Sequence, residues 1–127
     1  MYIRLIAVFI LILTISGCQS TTNPNQPADN LADRNASSLI ARAIASKNPT
    51  QAAVYRIKAA EAFAYQDTYS RVIDALTPVN LSLLDNPDAD QVRRLRAEAW
   101  LNLGELQAAE TALGGLSNWQ PQDQLIL

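Results

Sequence analysis

The sequence predicts an all-α protein in which antiparallel helical hairpins stack on one another as a short solenoid. Three observations predict this fold class. Alanine and leucine are abundant while aromatic residues make up only 6% of the 127 residues, a composition that favours helices. Apolar residues recur at helical spacing over much of the chain. Finally, one pattern of two helices occurs twice, about 37 positions apart.

The composition also restricts the chemistry that the protein can perform. The net charge is -2 and no long block of Lys or Arg appears, so nucleic acid is not expected as a partner. Histidine is absent and there is a single cysteine, which removes His-based catalysis, the usual zinc ligand sets and an internal disulfide. We therefore expect a binding protein that is not an enzyme and that needs neither a metal nor a cofactor.

Residues 1–17 have the order of a secretory signal peptide. Arg4 precedes an apolar run over residues 5–15, which is followed by two small residues. A transmembrane helix needs about 20 apolar residues, and this run is clearly shorter. We therefore expect export followed by cleavage rather than permanent spanning of the membrane.

The motif Ile15-Ser16-Gly17-Cys18 resembles the bacterial lipobox. The resemblance implies cleavage after Gly17, a thioether-linked diacylglycerol on Cys18 and an added N-acyl chain such as palmitate, which together anchor a protein to a membrane. Gln19 stands where an Asp would retain a lipoprotein in the inner membrane, so the resemblance implies an outer-membrane lipoprotein facing the periplasm. The alternative is an incidental thiol in an ordinary signal peptide.

Residues 18–36 are predicted to form a lipidated polar tether. From Gln19 to about Asn35 the chain is mostly Gln, Ser, Thr, Asn, Pro and Asp, and such a segment buries too little surface to offset the entropy of folding. A flexible chain of this length reaches roughly 20–25 Å. The helical module that follows, residues 37–127, is therefore expected just off the membrane surface.

Five helices are predicted in this module from its caps, prolines and glycines. Gly104 is expected to separate the last two helices, and Gly114 to end the last one. The predicted limits are a short helix after Ser37 or Ser38 that includes Ile44, a helix capped at Asn48-Pro49 and running to about Tyr65, Thr68 to Leu76, a helix capped at Asn86-Pro87 and running to about Leu103, and Glu105 to Leu113.

The two hairpins align with each other at a shift of about 37 positions. Residues 60–63 then pair with 97–100, and residues 75–76 with 112–113. The pattern resembles a tetratricopeptide repeat, whose period is about 34 residues. The second copy fits that signature better, because Asp67 replaces the turn glycine and Val72 the small alanine in the first. The alternative is a chance alignment of Ala-rich helices.

The lipobox, tether and hairpins together resemble the N-terminal portion of LpoA-type lipoproteins, the outer-membrane activators of class A penicillin-binding proteins. Residues 52–116 show the resemblance best, with 69–76 and 97–104 as the recognisable hairpins. It implies a regulator of peptidoglycan synthesis, and hence of cell shape, that contacts this bifunctional synthase. A larger domain similar to periplasmic ligand-binding proteins follows in that family. Residues 119–127 resemble the start of a further helix, so the module is expected to be truncated at its C-terminal end.

Two further hypotheses stay open at this point. A tetratricopeptide-like scaffold lipoprotein, serving envelope, pilus or outer-membrane assembly, would use the same module without touching peptidoglycan synthesis. The chain could also be an incomplete gene product without independent activity. The sequence does not decide between these hypotheses and the synthase activator.

The inner face of the hairpins is the candidate partner-binding surface. In the repeat register it offers Glu61 and Tyr65 from the first unit and Arg94, Glu98 and Asn102 from the second. The alternative is that these are solvated charges around an apolar stripe. Arg94 is expected to pair with Asp90 or Glu98, each one helical turn away, and the arginines at 93, 94 and 96 are expected to form a solvated face. No nucleophile accompanies Glu61 and Glu98, so a catalytic pair is not expected.

Overall fold

The computed structural model describes residues 28–125 and is all-helical over that range, which confirms the all-α part of the predicted fold class. Its two short 3-10 helices are Leu81–Leu83 and Pro121–Leu125. Five α-helices account for most of the remaining residues, and we number them α1 (Ala28–Ala45), α2 (Pro49–Tyr65), α3 (Tyr69–Leu76), α4 (Asn86–Asn102) and α5 (Leu106–Leu113).

The predicted signal peptide and the lipidation site at Cys18 lie outside the described residues. Within residues 28–125, no helix has both the length and the apolar character needed to cross a membrane.

Helix α1 begins at Ala28, so the prediction that the first helix starts after Ser37 or Ser38 is wrong. Its first turns lie within the stretch predicted to be a tether. Tertiary contacts explain the difference, because Ala36 is fully buried and Arg71 on α3 donates hydrogen bonds to Asp33 and Ser37. Packing against a neighbour therefore orders a polar segment whose composition alone does not favour a helix.

The caps of α2 and α4 follow one pattern. The Asn48 side chain accepts hydrogen bonds from the backbone N–H groups of residues 50 and 51 at 3.0 and 3.1 Å, as predicted. At α4 the cap is Asp85 and not Asn86, because Asp85 is extended and its Oδ1 accepts from the N–H of Asp88 at 3.1 Å. Asn86 is instead the first helical residue.

We call α2 with α3 the first helix pair and α4 with α5 the second, and the turns inside the two pairs are also alike. Asp67 and Gly104 both have positive φ angles, of 54° and 83°. In the first turn the N–H of Thr68 donates to the carbonyl of Phe63 at 3.0 Å, and in the second the N–H of Glu105 donates to the carbonyl of Trp100 at 2.8 Å. Aspartate tolerates this left-handed conformation better than most residues, so it can stand where the second turn has glycine.

Each boundary of α4 and α5 lies 37 residues after the corresponding boundary of α2 and α3. Consecutive helices pack against one another, and α2 also touches α4. The buried core repeats in the same register, and its equivalent pairs are Ala60 with Ala97, Val72 with Ala109, and Leu76 with Leu113. The observed elements therefore repeat with the 37-residue period, although the sequence match between the two copies is incomplete.

The chain after α5 folds back onto α4. Helix α5 ends at Leu113 as predicted, and the 3-10 helix Pro121–Leu125 occupies the place where the sequence indicated the start of a further helix. Asp123 in this segment has 0% relative exposure and bonds to Arg94 on α4. A polar contact therefore attaches the last described segment to the second helix pair.

Candidate functional site

The predicted partner-binding residues Glu61, Tyr65, Glu98 and Asn102 are all exposed. Tyr65 has 89% relative exposure, so its ring is available to a partner. Asn102 donates from Nδ2 to the Glu98 carbonyl at 2.9 Å within α4. These four residues form the exposed row, a name that we keep below.

Glu61 links α2 to α4. Its Oε1 accepts a hydrogen bond from Nε2 of Gln91, which lies on α4. A shallow cavity of about 210 Å³ lies beside this contact, lined in part by Lys58 and Asp88. Glu61 thus joins α2 to α4 through Gln91, a residue that has no signal in the sequence as a contact.

Arg94 is engaged inside the molecule. Its Nε donates to Oδ1 of Asp123 at 2.7 Å, and its NH2 group donates to Oδ2 of Asp123 at 3.2 Å and to the carbonyl of Asn118 at 2.6 Å. The hydrogen bond from Arg94 lowers the pKa of Asp123. The predicted pairing of Arg94 with Asp90 or Glu98 is therefore wrong, because the buried Asp123 offers a bidentate partner.

Asp90 is a second buried carboxylate, with 3% relative exposure. It accepts hydrogen bonds from the Ser117 hydroxyl at 2.6 Å and from the N–H groups of Ser117 and Asn118 at 3.1 Å. Arg93 also donates to it at 3.1 Å. The hydrogen bonds from Ser117 lower the pKa of Asp90 to about 2, so the group is charged at neutral pH.

The arginines at 93, 94 and 96 do not form the solvated face that the sequence analysis expected, because all three are half-buried. Arg96 donates from its NH2 group to the carbonyls of Leu76 at 2.7 Å and Val79 at 3.4 Å. Burial lowers the pKa of Arg96, and the neighbouring charge of Arg93 lowers it further. Each of these guanidinium groups thus donates to a carboxylate or a carbonyl of the chain itself.

A groove of about 620 Å³ lies between α4, α5 and the segment after α3, and we call it the Trp100 groove. Ligand sites are typically about 300–1,000 Å³ in volume, so its size suits a small part of a partner molecule. The residues that line it are Leu81, Arg93, Arg96, Trp100, Glu105, Gln107, Ala108, Thr111, Ala112 and Gly115.

The equivalent place in the first helix pair is mostly filled. There Arg71 lies over the ring of Phe63 at 4.1 Å from its centroid, and the same side chain reaches Asp33 and Ser37 on α1. The cavity that remains beside these residues has a volume of about 180 Å³. At a shift of 37 residues, the position of Arg71 is taken by Ala108, so the cation that closes the first groove has no counterpart in the second.

Within residues 28–125, no group of three or more His, Cys, Asp or Glu side chains is arranged to hold a metal ion. Comparison of the chain with protein-family models, with curated proteins and with solved structures finds no match.

Proposed function

We propose that this chain is a helical-repeat protein-interaction module of an outer-membrane lipoprotein, which regulates peptidoglycan synthesis by contacting a class A penicillin-binding protein. The observation that supports a repeat module best is the common 37-residue shift of every boundary of α2 and α3 onto α4 and α5. Modules built in this way stack their units and use the resulting extended surface for binding other proteins.

In this proposal, α2 with α3 and α4 with α5 are antiparallel hairpins stacked as a short tetratricopeptide-like solenoid. The two similar turns, at Asp67 and Gly104, and the shared buried positions support this arrangement. The exposed row then lies along the inner face of the stack and makes the first contact with the partner. Arg94 is not part of this row, because its guanidinium is engaged by Asp123.

The synthase is proposed as the partner because of the sequence features of an envelope lipoprotein. The motif at residues 15–18 resembles a lipobox, and residues 52–116 resemble the helical portion of LpoA-type activators. An anchored module of this kind acts by contact and needs no catalytic group of its own. The lipid on Cys18 would hold it at the outer membrane.

Binding to purified class A penicillin-binding proteins of the source bacterium tests this proposal. The full chain should bind one of them and raise its glycan polymerisation or cross-linking rate. Replacing both Tyr65 and Glu98 by alanine should weaken the binding at least about tenfold, as expected for exposed anchors of an interface. Gln51→Ala is the matched control, because this residue is also exposed on α2 but lies at its other end.

Absence of binding to every synthase tested would remove the proposed partner. Binding to components of pilus or outer-membrane assembly, with the same dependence on Tyr65 and Glu98, would favour the scaffold alternative instead. A double variant that binds the synthase as well as the original chain would show that the exposed row is not the interface.

A further inference from the structure

The second helix pair has an open groove where the first pair has a closed one. In the first pair, Arg71 covers the ring of Phe63, which keeps only 2% of its exposure. In the second pair, Trp100 replaces that ring, Ala108 replaces the arginine, and Trp100 stays half-buried. The chain thus leaves part of an aromatic surface uncovered at a place where its own repeat shows how such a surface is covered.

The cations of the Trp100 groove are only partly neutralised. Arg93 donates to Asp90, whereas Arg96 donates to two backbone carbonyls and forms no ion pair with a carboxylate in the described part of the chain. Glu105, the carboxylate residue that lines the groove, forms no ion pair there with either arginine. Two neighbouring guanidinium groups that are partly removed from water favour an anion between or above them.

The fold itself does not require an arginine at position 96. The equivalent residue in the first helix pair is Ala59, which is fully buried with 0% relative exposure. Placing a charged side chain where an alanine packs well costs desolvation energy, although two carbonyl contacts offset part of it. The remaining lining of the groove is apolar on one side, with Leu81, Ala108 and Ala112 facing the same space as Trp100.

We propose that the Trp100 groove binds an acidic peptide segment of a partner protein. A carboxylate of that segment would pair with Arg96 and Arg93, and a neighbouring apolar side chain would cover Trp100. A peptide fits better than an anionic lipid surface, because the cations lie inside a groove with an aromatic wall and do not protrude. This inference rests on the proposed role in protein binding but not on the identity of the synthase.

The test uses the full chain in nonionic detergent and the fluorescence of Trp100. The chain has two tryptophans, so Trp119→Phe leaves Trp100 as the single reporter. Acetylated and amidated octapeptides that mix leucine with glutamate, glutamine or lysine serve as the ligands. We expect only the glutamate peptides to change the emission with saturation, and we expect high salt to weaken their binding.

A matched pair of variants then locates the site. Thr111 is exposed, lies on α5 and lines the groove. Thr111→Glu supplies a competing carboxylate, whereas Thr111→Gln adds a side chain of nearly the same size as glutamate without the charge. The Thr111→Glu variant should therefore bind the glutamate peptides about tenfold more weakly than the Thr111→Gln variant. Both residues favour helices, so circular dichroism should show no loss of helix in either variant.

Four results would overturn the inference. They are a preference for the lysine peptides, equal binding of the glutamine peptides, equal affinities of the two Thr111 variants, and a response to phosphatidylglycerol vesicles that exceeds the response to the acidic peptides. Synthase binding is measured separately with the same variants. If the synthase fails to bind while the acidic peptides bind the groove, the proposed partner is wrong and the groove assignment stands.

Discussion

At the scale of single residues, Gly104 is held in a left-handed conformation by the turn between α4 and α5. A Cβ atom added there would meet nothing within 4 Å, so an alanine is strained by its backbone conformation alone. That strain costs about 1 kcal/mol. We expect Gly104→Ala to lower the free energy of unfolding by about 1 kcal/mol, measured by urea denaturation.

Gly114 provides the matched control for this substitution. It ends α5 with a φ of -59°, a conformation that alanine adopts freely. Its added Cβ would lie 3.5 Å from the carbonyl oxygen of Thr111, which is an ordinary contact. Gly114→Ala should therefore leave the free energy of unfolding unchanged or raise it by up to about 1 kcal/mol. Equal losses at both glycines would contradict the explanation from backbone conformation.

Asp90 makes the stability of the fold depend on pH. Hydrogen bonds from Ser117 lower its pKa from the ordinary value of 3.8 to about 2 in the folded state. A carboxyl whose folded pKa is depressed stabilises the fold above its unfolded pKa and loses that contribution as the pH falls through the folded pKa. The stabilisation by Asp90 is therefore complete above about pH 4 and disappears towards pH 2.

Asp90→Asn tests this dependence, because asparagine resembles the protonated carboxyl. The variant should be clearly less stable than the original chain at neutral pH, and the difference should shrink as the pH falls from about 4 to about 2. Urea denaturation at several pH values measures it. The pKa of Asp123 is also lowered, but this residue is present in both proteins, so it enters the difference only through the charge of Asp90, which raises the pKa of Asp123. If the difference in the free energy of unfolding is constant over this pH range, Asp90 is not the source of the pH dependence.

At the scale of the elements, the start of α4 depends on Asp85. Its side chain accepts from the N–H of Asp88, whereas the Asn86 side chain is exposed beyond the cap. We expect Asp85→Ala to lower the free energy of unfolding by about 1 kcal/mol, and Asn86→Ala to lower it by less than about 0.5 kcal/mol. Chemical denaturation of the two variants measures both changes, and the opposite order would restore Asn86 as the cap.

The limits of α2 to α5 could be predicted from the sequence to within about one residue. Their signals are local, because caps, prolines and left-handed turn residues act on the neighbouring backbone. The start of α1 could not be predicted in this way, since it depends on Arg71, which lies 38 residues after Asp33. The sequence favours Asn86 as the cap of α4 because the two Asn-Pro pairs look alike. These pairs stand 38 positions apart, however, and the repeat has a shift of 37, so Asp85 takes the place that corresponds to Asn48.

The candidate site shows the same division between local and distant signals. Exposure of Glu61, Tyr65, Glu98 and Asn102 follows from helix periodicity, and the structure places them accordingly. The engagement of Arg94 by Asp123 spans 29 residues and has no local signal. The Trp100 groove did leave a signal in the sequence, because aligning the two repeats sets Arg96 against Ala59 and Ala108 against Arg71.

At the scale of the whole molecule, the position of α1 limits how far the module can stand from a lipid anchor. Helix α1 begins ten residues after Cys18. A chain spans at most about 3.6 Å per residue when fully extended, so Ala28 lies within about 36 Å of Cys18 in any conformation. If Cys18 is lipidated as proposed, the start of the helical module therefore stays within about 36 Å of the lipid anchor.

Cys18→Ser tests the proposed anchor directly. Serine offers no thiol for the thioether to diacylglycerol, so this variant should incorporate no radiolabelled palmitate and should leave the outer-membrane fraction, while the original chain is labelled and stays there. Ser20→Ala lies just outside the lipobox-like motif and should behave like the original chain. Both substitutions lie outside the described fold, which begins at Ala28, so neither should change the urea denaturation midpoint of the helical module. Palmitate on the Cys18→Ser variant, or an original chain that carries none, would remove the lipid anchor from the proposed function.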